Sequence, residues 1–306
     1  MGLIGLLLIL AVLQGLTEFL PVSSSGHLVL ARSYLPGGDR LPSDAGVEIL
    51  LHVGTLLAVV CFYRREIMAL MAGVLGRGAE PGAQRRLLGM LVLGSIPAAV
   101  IGLGFEKQIE ETFAAPAISA GMLLVTGTFL WLSRSLPEGR RELRDLTART
   151  ALLIGLAQAV AILPGISRSG STIVAGLALG LSLPAAATFS FLLSIPAVGG
   201  AILLRAGDLL DFSASEPVAA AVGVTVSAVT GLAALGLLVW IGRSRRLWWF
   251  APYCWLIGLV GLGFAALRER LAAALTGAAA LRRSLRLATT QARNFGPGHS
   301  VSRKWS

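Results

Sequence analysis

Two short polar segments interrupt otherwise apolar stretches of this 306-residue chain, and they hold the side chains able to do chemistry. The first reads Gln14-Gly-Leu-Thr-Glu18-Phe-Leu-Pro21-Val-Ser23-Ser24-Ser25-Gly26-His27. The second reads Pro164-Gly165-Ile-Ser167-Arg168-Ser169-Gly170-Ser171-Thr172. A helix that restarts after such a break presents free N–H groups and a positive dipole end, an anion site before any side chain contributes. Ser23, Ser24, Ser25, Ser167, Ser169, Ser171 and Thr172 add hydroxyls, and Arg168 adds a planar fork suited to phosphate oxygens. Face to face, the two breaks would form a phosphate or diphosphate cradle. Glu18 repels an anion, so it makes sense as a general base or as a ligand for a divalent cation that bridges phosphates. His27 suits proton transfer, and Ser24 is a nucleophile if Glu18 or His27 takes its proton. The reaction indicated is phosphoryl transfer to water.

Each of these residues also has a plainer reading. Serines beside proline and glycine satisfy the backbone of a broken helix. Glu18 can simply pair with Arg168, Arg168 can snorkel to a headgroup, and His27 can be a satisfied core histidine. Gly176-x-x-x-Gly180 reads as close helix packing, and Trp248 and Trp249 read as an interfacial belt. Glu48 and His52 are four apart on one helix face, so they either line the same cavity or pair with each other.

The elements that must position these groups follow from composition. The chain is 55% hydrophobic and 14% charged, with mean hydropathy +0.77. No Asp, Glu, Lys or Arg occurs between Arg168 and Arg205, between Glu216 and Arg243, or between Arg246 and Arg268. Each run holds a helix of about 20 residues, enough to cross a bilayer. The expected fold is all-α and polytopic. Six segments read as full spans: 46–63, 87–104, 114–132, 185–204, 217–241 and 249–267. Residues 2–20 with 28–35, and 151–163 with 170–181, read as half-length helices joined by a break, hence as re-entrant hairpins. The apolar start is not read as a cleaved signal, since no Lys or Arg precedes it. Cys61 and Cys254 lie in apolar segments and read as packing residues without metal-ligand spacing.

The net charge is +10, but arginines sit in short loops between apolar spans, and there is no nucleic-acid motif. Loop 64–86 holds five arginines against Glu66 and Glu80, loop 133–149 holds five against three acids, and 243–246 reads Arg-Ser-Arg-Arg. Loops 105–113 and 205–216 hold more acids than bases. The Arg-rich loops are expected in the cytoplasm. One hairpin then enters from each side, and the membrane domain 1–267 divides into inverted repeats, 1–132 and 133–267. Gln14 with its Leu-Pro-x-x-Ser-like break is echoed by Gln158 and Leu163-Pro164-Gly-Ile-Ser167. Inverted repeats with broken helices build one site near the midplane. The tail 268–306 is basic; it is expected to be disordered, or helical on the membrane surface over about 268–288.

At these two segments the chain resembles the undecaprenyl-diphosphatase family, the integral membrane bacitracin-resistance proteins. Gln14-Gly-Leu-Thr-Glu18 is similar to the family's (E/Q)-x-x-x-E element, followed by Phe-Leu-Pro-Val-Ser-Ser-Ser-Gly-His, with Ser25 where the family usually has Thr. Pro164 to Thr172 is similar to its P-G-x-S-R-S-x-x-T element. The resemblance implies hydrolysis of undecaprenyl diphosphate to the monophosphate and inorganic phosphate. It also implies a Mg²⁺ or Ca²⁺ requirement, six spans with two hairpins, and a site in the bacterial inner membrane reached from the outer face. Glu18, Ser24, His27 and Arg168 are then the catalytic candidates. Gln14, Ser23, Ser25, Ser167, Ser169 and Thr172 would bind the diphosphate, and Glu18 is the metal candidate. Gln14 is an amide where many relatives carry an acid, so Glu18 must carry more of any metal site. The partners implied are a polyprenyl diphosphate lipid and the bilayer, without nucleic acid; a homodimer is left open. The acid-phosphatase-like lipid phosphatases also carry Ser-Gly-His, but their partner motif needs a His soon after Ser-Arg, and the next here is His299. The rival function is a transporter or flippase of a polyprenyl phosphate, with Glu18 and His27 as a proton-coupling pair.

Overall fold

In a bilayer every backbone polar group must be satisfied within the protein, which leaves helices as the solution for apolar runs of this kind. The computed structural model describes residues 2–36, 44–78, 80–242 and 246–271, and apart from a single bridge between Arg141 and Leu181 its regular structure is helical. Two helices flank each polar break: α1 (Leu3–Phe19) and α2 (Ser24–Tyr34) around the first, α8 (Ala148–Val160) and α9 (Arg168–Ala178) around the second. Between them come α3 (Asp44–Phe62), α4 (Arg64–Val74), α5 (Pro81–Gly104), α6 (Glu106–Phe113) and α7 (Pro116–Leu132). After them come α10 (Leu183–Leu204), α11 (Ala206–Ser215), α12 (Pro217–Gly242) and α13 (Leu247–Leu271). Among the described residues five helices are long and apolar enough to cross a membrane, and six if α3 and α4, bent by 75° at Tyr63, form one broken span. The protein is a multi-pass membrane protein.

All six expected spans are helical, but three of the expected loops contain helices as well. α4 follows an Arg-Arg-Glu start and leaves Met68 and Met71 exposed, a helix suited to an interface. α6 and α11 are short and carry the acids of their loops, except Glu216, which follows α11. The helices after the breaks begin at Ser24 and Arg168, earlier than the expected 28 and 170, because Ser23 and Ser167 cap them. Gly176 does serve packing, since a Cβ there would lie 2.8 Å from the Ala186 Cβ. Gly180 does not: its φ of +84° ends α9, with Leu181 N–H donating to Gly176 O and Gly180 N–H to Leu177 O. Cys254 is buried, while Cys61 is exposed rather than packed. Arg243 to Arg245 and the tail from 272 lie outside the described residues.

Residues Met1–Leu262 form one compact unit. Within it α12 lies between α1 and α3, α8 packs on α5 and α9, and α2 packs on α1 and α7. Helix ends group by charge. Arg86 donates to the carbonyls of Arg144 and Leu146 (2.9 and 2.7 Å), joining the two Arg-rich segments. Trp131 meets Trp248 edge-on at 5.5 Å, and Arg134 and Arg246 sit over Trp131 and Trp249. Elsewhere, Arg205 pairs with both Glu106 and Glu110, joining the acid-rich segments of α6 and α11. The start of α1 packs with the starts of α3 and α12 through Leu6, Leu7, Val47 and Ala219.

Break two is held by α7. Thr126 Oγ1 donates to Gly165 O at 2.7 Å and accepts from Ser167 N–H at 3.1 Å. Gly165 has φ +97°, and a Cβ there would lie 2.2 Å from Ser119 O. Thr126→Val keeps the shape but leaves a buried carbonyl and a buried N–H without partners. It is expected to destabilise the protein by about 1–3 kcal/mol. Thermal unfolding in detergent checks this: a lower midpoint is expected, and an unchanged one contradicts the role given to Thr126.

Candidate functional site

Glu18 sits in the last turn of α1, the negative end of a helix dipole and a poor place for a carboxylate. It is also only 7% exposed. Four groups offset this cost. Arg168 NH2 donates to Oε1 at 2.5 Å, while Oε2 accepts from Ser24 Oγ at 2.5 Å and from Gln14 Nε2 at 3.0 Å. His52 Nε2 lies 3.7 Å from Oε2. A single carboxylate thus joins the hydroxyl of break one to the guanidinium of break two.

The breaks touch along their backbones. A Cβ on Gly26 would lie 2.7 Å from the Gly165 Cα, so a side chain there would hold them apart. Ser169 Oγ donates to Leu20 O at 3.2 Å, and Ser23 Oγ lies 3.3 Å from Ile166 O. Each break repeats the other's local bonding. Ser23 Oγ accepts from Gly26 N–H at 3.3 Å and Ser167 Oγ accepts from Gly170 N–H at 3.1 Å. Ser23 and Ser25 are 3.3 Å apart through their hydroxyls, as are Ser167 and Ser169. Ser23 pays for this position with φ +70°, the one positive value outside glycine among the described residues. The first turns of α2 and α9 therefore open beside each other, and their free N–H groups make a positive patch.

The sequence candidates do not all face the same way. Gln14, Glu18, Ser24 and Arg168 form one cluster. Ser23 and Ser167 cap the helices, Ser23 and Ser169 tie the breaks together, and Ser25 bonds to Ser23. Thr172 Oγ1 is occupied at 2.8 Å from Arg168 O and 2.5 Å from Ser190 Oγ, which fastens α9 to α10. His27 is buried and turned to the Ser23 carbonyl through Nδ1 (2.7 Å) and to the Tyr253 hydroxyl through Nε2 (2.8 Å). His52 Nδ1 lies 2.8 Å from the backbone carbonyl of Glu48, and its other nitrogen faces Glu18. Tyr253 and Thr126 were not legible as site residues, since each lies in a plain apolar span far from either polar segment.

Two hydrogen-bonding positions at this cluster are unfilled. Arg168 NH1 and Gln14 Oε1 are buried and have no hydrogen-bond partner among the described residues. Buried polar atoms are almost always paired, so such atoms mark places for a ligand or water. One is a cationic donor and the other a neutral oxygen acceptor. Among the described residues no three His, Cys, Asp or Glu side chains converge as a metal site. A cation here would take oxygen from Glu18 and Gln14 and complete its shell from elsewhere, which fits a hard ion such as Mg²⁺ or Ca²⁺.

Comparison with known proteins covers most of the chain. The family model described as bacitracin resistance protein BacA matches residues 7–260. An undecaprenyl-diphosphatase from Desulfatibacillum aliphaticivorans is 44% identical over 264 residues, 82% of this chain and 94% of that protein. One from Rhodopirellula baltica is 41% identical over 255 residues, 82% of this chain and 94% of that protein. One from Methanobrevibacter smithii is 37% identical over 265 residues, 83% of this chain and 94% of that protein. With the two breaks inside the matched span, the chain belongs to the BacA family of bacitracin resistance proteins.

Proposed function

We propose that this chain hydrolyses undecaprenyl diphosphate to undecaprenyl phosphate and inorganic phosphate, recycling the lipid carrier of bacterial cell-wall polymers and so conferring bacitracin resistance. The names of its relatives support the substrate. The observation that carries the chemistry is the Glu18 carboxylate bonded at once to Ser24 and Arg168. The free Arg168 NH1 and the N–H groups opening α2 and α9 bind the diphosphate oxygens. Glu18 takes the Ser24 proton as Oγ attacks the terminal phosphorus. The bridging P–O bond breaks, the lipid monophosphate leaves, and water then releases phosphate from the serine. His27, one turn along α2 from Ser24, is the second proton-transfer group. Glu18 and the Gln14 carbonyl oxygen would hold a divalent cation, which when bound would neutralise phosphate charge.

The same reading gives the topology. The two helix–break–helix units are re-entrant hairpins that enter from opposite sides, and the chain is an inverted repeat. Support comes from the helix ends: α1 starts among the starts of α3 and α12, and the Arg141–Leu181 bridge joins the end of α9 to the Arg-rich segment before α8. With the Arg-rich end in the cytoplasm, the site opens to the outer face.

Purified protein in detergent is expected to release phosphate from a C55 diphosphate, and a polyprenyl-phosphate carrier would release none. Glu18→Ala and Arg168→Ala are each expected to abolish release. Removing one member of a buried pair also costs about 3–5 kcal/mol. Arg168→Lys, which keeps the charge but loses the fork, is therefore the cleaner variant and should remain folded with little activity. Near wild-type turnover in it contradicts the role of the fork. Ser24→Ala tests the covalent route; retained turnover means that water attacks directly. In a background of Cys61→Ser and Cys254→Ala, an impermeant maleimide should label Lys107→Cys and Ser213→Cys in intact cells. Arg77→Cys and Arg140→Cys should react only after lysis, and the reverse pattern contradicts the topology.

A further inference from the structure

His27 is buried, yet both of its ring nitrogens are engaged. The Ser23 carbonyl only accepts, so Nδ1 carries a hydrogen. In the neutral ring Nε2 is then a bare acceptor, and the Tyr253 hydroxyl donates to it at 2.8 Å. In the imidazolium Nε2 carries a hydrogen, and the same hydroxyl accepts it. A phenol is both donor and acceptor, so this bond survives either charge state without the ring turning. The geometry also limits rotation, because the two rings are stacked 5.5 Å apart with 3° between their planes. Tyr253, on α13, is 39% exposed, against 5% for His27. The tyrosine is therefore the outward-facing partner of a ring that is itself sealed.

We propose that Tyr253 is a positioning residue for His27. It holds the imidazole with Nδ1 protonated and Nε2 as the exchanging atom, and its hydroxyl is the route by which that proton arrives or leaves. When Nε2 takes the phenolic proton, the phenol oxygen takes one from a solvent water, which is left as hydroxide, so the tyrosine ends unchanged and the histidine gains one proton. This rests on the reading in which His27 transfers a proton during diphosphate hydrolysis. Nothing in the sequence motifs singles out Tyr253, since it lies 226 residues from His27 within an apolar span.

Tyr253→Phe keeps the ring and its stacking and removes only the hydroxyl. With ¹⁵N-labelled histidine in the detergent-solubilised full chain, the His27 Nε2 resonance is assigned by its loss in His27→Ala. It is expected at the position of a hydrogen-bonded acceptor and is expected to move in Tyr253→Phe. The kcat of Tyr253→Phe is expected to fall about tenfold, less than the ~100-fold that general acid–base catalysis itself supplies. KM should stay within about twofold, as for a group that does not bind substrate. In the His27→Ala background, adding Tyr253→Phe should cost nothing further, because the tyrosine acts through the histidine. An unmoved Nε2 resonance, full kcat in Tyr253→Phe, or an additive loss in the double variant overturns the proposal. If the wild-type protein releases no phosphate, the hydrolase reading falls, and the resonance alone still judges the Tyr253 contact.

Discussion

The structure depends on one ion pair, between the buried Glu18 and the partly buried Arg168, made across two interruptions. Glu18 ends a helix whose dipole disfavours it, in a chain with few charges to spare, and Arg168 begins another helix whose dipole disfavours a cation. Each is badly placed alone. Together, 2.5 Å apart, they offset each other and draw the breaks into contact at Gly26 and Gly165. A buried pair is weak support for stability, since apolar residues of similar size often serve as well. Its value here lies in what it leaves over: a guanidinium nitrogen without a partner and a carboxylate already holding a serine hydroxyl.

Around that pair the two halves of the site are alike in backbone and unlike in chemistry. Both breaks cap a new helix with a serine, and both place a second hydroxyl beside the first. Gln14 donates to Glu18, whereas its echo Gln158 is buried with both amide atoms unpartnered and has Ile162 four residues on. Break one supplies the carboxylate and the hydroxyl, and break two supplies the cation. On the proposed reading this asymmetry separates activation of the nucleophile from grip on the phosphates.

Much of this was legible in the sequence because the bilayer leaves few choices. Charge-free runs located the spans, and a proline with serines inside an apolar stretch located the breaks. The Glu18–Arg168 pairing was only the plainer alternative to Glu18 as a base or a metal ligand, because sequence marks both as costly ions without saying that the two breaks meet. The short helices between the long ones were less visible. α4, α6 and α11 carry mixed charge and no long apolar run, so they read as loops until packing gave them a surface to lie on. Thr126 and Tyr253 were invisible for a different reason. A hydroxyl in an apolar span has no sequence signal for what lies across the bundle, and only the fold brings Thr126 to Gly165 and Tyr253 to His27.

The central claim is that the junction of the two breaks is the diphosphate site. An experimentally determined structure with bound pyrophosphate tests it most directly. The account predicts phosphate oxygens on Arg168 NH1 and on the N–H groups that open α2 and α9, with Ser24 Oγ facing the terminal phosphorus. Pyrophosphate bound elsewhere, with the Glu18–Arg168 junction closed and unaltered, would contradict it.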